Sequence, residues 1–189
     1  MRRKTKENKM KTIFVFFALT ILSGCGCEEL PYELWIDSAC SPGDQKVIRD
    51  SVATVNAWTR ENIGDALIEI GGVDKVDHEQ ALTSSGTDPN WGRDFIICFN
   101  EKPNDDNVDL WEGLSGHAYQ GGDIWLFRFV ITSNQKLFRT TLHELGHHIG
   151  LPHTEQDPAV MHNPPNSDSF TDFDSELLCD KYACQRGTK

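Results

Sequence analysis

The chain has 189 residues and a formal charge of -11 at pH 7. That length fits one domain with a sizeable core. So acidic a surface argues against nucleic acid as a partner, while leaving room for calcium, which wants clustered carboxylates.

Residues 1–11 carry six basic side chains against one acid, and an apolar run, Ile13 to Leu22, follows. A basic start, a short apolar stretch and small residues form a secretion signal. The run is well short of the ~20 residues that span a bilayer. Its ending, Leu22-Ser23-Gly24-Cys25, resembles the bacterial lipoprotein processing box. The resemblance implies a signal peptide over 1–24, a lipidated Cys25 and a tether over 25–31. It also implies export, with acyl chains holding the protein at the cell membrane or outer membrane, outside the cytoplasm. An ordinary signal peptide with a chance Cys is the alternative. Loss of 1–24 removes six positive charges and one negative, moving the formal charge from -11 to about -16.

An exported protein meets oxidising conditions, so the six cysteines are candidates for disulfides. Cys179 and Cys184 are close enough to close a small loop. Cys40 and Cys98, which both end apolar, strand-like runs, make a reasonable second pair, and Cys27 is then left over. Spacing alone does not fix this connectivity.

Along the chain, Tyr32 to Ile36 reads as a strand, and Ser41-Pro42-Gly43-Asp44 as a turn and helix-start signal. Val47, Ile48, Val52, Val55 and Trp58 fall at helical spacing, predicting a helix from Gln45 to about Trp58. Leu67 to Ile70 is a candidate strand, 71–92 reads as loop, and Asp94 to Asn100 as a strand. Residues 101–113 form an acidic loop with Asp105, Asp106, Asp109 and Glu112. A solvated loop is the plain reading and a calcium site the sharper one. Asp123 to Ile131 reads as a strand. Ser133 or Asn134 can cap a helix from about Gln135 to Ile149. Gly150-Leu151-Pro152 ends it, with Gly giving a left-handed exit and Pro blocking continuation. Residues 154–172 are mostly loop, and Phe173 to Tyr182 a last short helix.

The stretch His143-Glu144-Leu145-Gly146-His147-His148-Ile149-Gly150-Leu151-Pro152-His153 carries the chemistry. His143 and His147 project from one helix face, one turn apart, where two imidazoles can grip one Zn²⁺ at ~2.0–2.1 Å. Gly150 lets the chain turn back, so that His153 completes three nitrogens and leaves a fourth position open, the mark of a catalytic zinc. Glu144 lies beside the first ligand, placed to take a proton from a metal-activated water. His148, five residues after His143, points away from the pair and reads as a surface or packing residue.

This stretch matches the long zinc signature of the metzincin clan of metallopeptidases. Ala159-Val160-Met161-His162, eight residues beyond His153, resembles the Met-turn of the matrixin branch. By that resemblance Met161 supports the ligand histidines from below without binding metal. His117-Ala118-Tyr119 with Gly121-Gly122-Asp123 looks like the matrixin stretch leading into the edge strand of the substrate cleft. The helix from Gln45 and the segment Asp172 to Leu178 resemble the first and closing helices. The implied fold is α+β, of the α/β zincin type. A twisted mixed sheet, a long first helix, an active-site helix and a C-terminal helix make one catalytic domain over 32–189.

The chain departs from the pattern in places. Trp125 and Phe127 stand where a His and an Asp are expected, so a structural zinc is not expected and calcium is left open. No propeptide-like segment separates the signal from the first strand, which implies direct folding to an active form or control by an unidentified inhibitor. The implied activity is hydrolysis of a protein or peptide substrate bound extended near Trp125, with Glu144 as general base. His162, Asn163 and Pro164 would line the pocket for the residue after the cut. A highly selective processing peptidase and a lipid-anchored, non-proteolytic zinc-binding module are the alternatives, and a monomer is the default.

Overall fold

A computed structural model describes residues 30–83, 93–102 and 114–182. Its central element is a five-stranded mixed sheet, formed by β1 (Tyr32–Asp37), β2 (Ile68–Asp74), β3 (Asp94–Phe99), β4 (Gly116–Ala118) and β5 (Ile124–Phe127). The order across the sheet is β2-β1-β3-β5-β4, and β4 alone runs antiparallel to its neighbour. The helices are α1 (Pro42–Ile63), α2 (His78–Thr83), α3 (Asn134–His148) and α4 (Asp172–Tyr182). The architecture is the expected α+β one: a mixed sheet, a long first helix, a helix bearing the zinc motif and a C-terminal helix.

Strand alternation divides the apolar residues between two layers. Leu34, Ile36, Ile96, Cys98, Ile124 and Leu126 face α1 and α3 in the main core. Phe95, Ile97, Phe99, Trp125 and Phe127 face the opposite side, where Val76 and Ala81 cover them. Because β3 and β5 are buried on both faces, their sequences read as unbroken apolar runs. The Cys40–Cys98 disulfide forms as expected, tying the turn after β1 to β3. With 58 residues between its ends, it stabilises by about 4 kcal/mol in the chain-entropy picture. Cys179 is also disulfide-bonded, but its expected partner Cys184 lies outside the described residues, as do Cys25, Cys27 and the acidic loop from 103 to 113.

Several element boundaries differ from expectation for local reasons. α1 begins at Pro42, whose fixed φ suits the first helical position, after Ser41 Oγ accepts the Asp44 amide at 3.1 Å. It continues past Trp58 to a left-handed exit at Gly64 (φ 89°). The segment expected as loop from residue 71 instead extends β2 to Asp74 and then forms α2. Asp77 Oδ1 accepts the Glu79 and Gln80 amides at the start of that helix, which is too short to display a period. β5 stops at Phe127 rather than Ile131: its partner β3 has ended, and the amides of Val130 and Ile131 fold back onto the Phe127 carbonyl.

Candidate metal centre

Ser133 opens α3 by accepting the Lys136 amide on its hydroxyl at 3.1 Å. On this helix His143 and His147 stand one turn apart, with Nε2 atoms 3.1 Å from each other. The helix ends at Gly150 in the left-handed conformation (φ 83°), a geometry that favours glycine. The Leu151 amide bonds the Gly146 carbonyl at 2.8 Å, and the reversed chain delivers His153. Its Nε2 lies 3.2 Å from that of His143 and 3.0 Å from that of His147.

These close nitrogens are not hydrogen-bonded to one another in the way their distances suggest. His143 Nδ1 lies 2.8 Å from the Val160 carbonyl and His147 Nδ1 lies 2.8 Å from the Leu151 carbonyl. A carbonyl only accepts, so each Nδ1 carries the proton and each Nε2 presents a lone pair. Burial also lowers both pKa values, that of His143 to about 4, so the rings stay neutral. Neutral lone pairs aimed at one point repel unless a cation sits among them. Ligands at the usual ~2.0–2.1 Å from one tetrahedral zinc stand roughly 3.3 Å apart, so the donor set fits that ion.

Beneath the triad, Met161 is fully buried. A β-carbon at Gly146 would lie 2.2 Å from its sulfur, so the helix must carry glycine for this sulfur to approach. The turn holding Met161 is fixed from below by Asp174, a fully buried residue of α4. Its carboxylate accepts the Val160 amide at 3.1 Å and the Met161 amide at 2.9 Å, plus the amide and hydroxyl of Thr171. Since the Val160 carbonyl orients His143, Asp174 acts on a ligand through one intervening residue.

Glu144 is almost wholly buried beside Gly116 of β4, where a β-carbon would stand 2.7 Å from its Oε1. Burial raises its carboxyl to about 8; a cation among the neighbouring imidazoles acts in the opposite sense. Glu144 and the three histidines share a cleft of about 140 Å³ whose remaining walls include Gly116, His117, Asn163 and Pro164. The three histidines are the group that converges on a metal-sized point among the described residues.

The chain matches the Matrixin family model over residues 62–174, well over half its length. It belongs to the matrixin family. Comparison with curated proteins gives no match. With its histidine triad, this matrixin is classed as a metzincin-type zinc metalloendopeptidase.

The matrixin brings most of its expected site residues together, and Trp125 departs from expectation. Trp125, expected beside the substrate, is 1 % exposed and packs its ring against Phe99, His117 and Tyr119 on the sheet's second face. The edge strand is β4, and β5 lies between it and β3, so Trp125 is interior. His162 turns its Nδ1 to the Pro164 carbonyl at 3.0 Å, and its neighbours Asn163 and Pro164 line the cleft. His148 is buried and acts as a packing residue: Nδ1 donates to the Gly122 carbonyl at 2.9 Å, and the ring meets Tyr32 edge-on. Gly116, Gly146 and Asp174 were not singled out from sequence. Gly146 lay within the zinc signature and Asp174 within the closing-helix match, but their contacts were invisible.

Gly146→Ala tests the support beneath the triad. Alanine gains up to ~1 kcal/mol of helix propensity, yet the clash with Met161 costs ~1–3 kcal/mol. The expected net result is a lower Tm and weaker zinc binding in a competitive chelator titration. A raised Tm with unchanged zinc affinity would contradict this support.

Proposed function

We propose that the chain is an active endopeptidase in which Glu144 is the general base. The carrying observation is that Glu144, held against Gly116, lines the same cleft as the three imidazole lone pairs. Zinc held by His143, His147 and His153 would supply the Lewis acidity that eases deprotonation of water and polarises a carbonyl. The residues do the rest. Glu144 accepts the proton of the attacking water and passes it to the departing amine. Among the described residues β4 pairs with β5 on one side only, so its other edge can take an extended substrate through backbone hydrogen bonds. Asn163 and Pro164 border the bound segment.

Glu144→Gln keeps the shape of the side chain and removes its basicity. Casein cleavage by the zinc-loaded variant should fall by about 10²–10⁴-fold with one zinc per chain retained. Undiminished cleavage would overturn the assignment of the base. Zinc binding without cleavage by either protein would favour a selective processing peptidase or a non-proteolytic binding module.

We further propose that residues 1–24 direct export, that Cys25 is lipidated and that 32–189 is the catalytic domain. The support is the basic, apolar and small-residue order before Cys25. Expressed in a bacterium fed labelled fatty acid, the chain should incorporate label and Cys25→Ser should not; an unlabelled parent chain would remove the anchor.

A further inference from the structure

The chain is acidic overall, yet the chamber beside its metal cleft is lined by cations. The cleft shares Ser115, Pro164 and Pro165 with a second cavity of about 310 Å³. The far wall of that chamber is the first part of α3, including Lys136, Arg139 and Thr140. Helical spacing explains the placement: Thr140 stands one turn before Glu144, Lys136 one turn before Thr140, and Arg139 one turn before His143. Lys136 therefore lies roughly 12 Å along the helix axis from Glu144.

The charges in this wall are unequal. Arg139 is paired with Asp168: Nη2 donates to Oδ2 at 3.1 Å, and Nε donates to Oδ1. Gln135 donates to the same carboxylate. Lys136 has only the Val130 carbonyl, at 3.1 Å from its Nζ, and pairs with no carboxylate among the described residues. Among the described residues no carboxylate lines the chamber, and the Lys136 charge is left uncompensated by them. The other walls are hydroxyls and prolines, with Thr140 Oγ1 donating to Ser115 Oγ at 3.0 Å. Among the described residues no large aliphatic or aromatic side chain lines it to reward burial of an apolar one.

We propose that this chamber receives the substrate side chain next to the scissile bond and selects an acidic one, with Lys136 as the specificity-determining residue. The inference rests on the peptidase reading and adds the substrate class to it. An acidic side chain entering the chamber meets Lys136 in a partly enclosed space; a basic one meets like charge. The selectivity is local and opposes the acidity of the whole surface.

The test digests a peptide library with the zinc-loaded chain and reads the cut sites by mass spectrometry. It then compares kcat/KM for matched peptides carrying Glu, Leu or Lys at the position found. Asp and Glu should dominate one position flanking the cut, with Glu favoured over Lys by at least about tenfold. The preference should weaken with added salt. In Lys136→Glu the Glu-to-Lys ratio should fall to one or invert; being internal to each protein, the ratio is unaffected by a general loss of activity. A preference for Leu, or a ratio unchanged by the substitution, would overturn the inference while leaving the peptidase intact. Cleavage of no library member would remove the peptidase reading and this one with it.

Discussion

Three imidazole nitrogens aimed at one point set the main constraint on this molecule. Lone pairs 3.0–3.2 Å apart repel, so the surrounding chain must hold them until a cation makes the arrangement favourable. Two backbone carbonyls do part of this by fixing the protons of His143 and His147 on Nδ1. One of these carbonyls belongs to the turn after His153 and the other to the reversal at Gly150. The loops thus serve as orienting partners for the ligands as well as connections.

The rest of the domain supports those loops. The sheet, with both faces covered, forms a stiff base. α1 packs against both α3 and α4, and His148 ties the end of α3 to the glycine turn before β5 through Gly122. Asp174 reaches from α4 to the Met161 turn, 13 residues back along the chain. A buried carboxylate surrounded by four donors is satisfied, and removing it would leave buried amides without partners. Glycine is needed at Gly146 and Gly116 for close approach: one admits the Met161 sulfur, the other admits Glu144. The two contacts set the height of the triad and the position of the carboxyl beside it.

What was legible in the sequence follows from the range of the interactions involved. His143, Glu144, His147 and His153 depend on one helix and one turn, geometry that spacing encodes directly. The Cys40–Cys98 pair was legible because both residues end strand-like runs. Trp125 was misplaced because an apolar alternation identifies a strand without saying whether it lies at an edge or inside a sheet. The edge is β4, only three residues long, which gives almost no periodic signal. Asp174 and Gly116 were hidden for a related reason: their partners come from other elements, so their roles exist only once the layers are packed.

The central claim is that His143, His147 and His153 form a zinc site of three nitrogens with an open position. Zinc K-edge X-ray absorption on the zinc-loaded chain, beside His153→Ala, tests it most directly. The account predicts one tightly held zinc per chain, three nitrogen scatterers at ~2.0–2.1 Å with a light-atom fourth ligand, and loss of one imidazole contribution in the variant. A sulfur scatterer at ~2.3 Å, or a spectrum unchanged by His153→Ala, would contradict it.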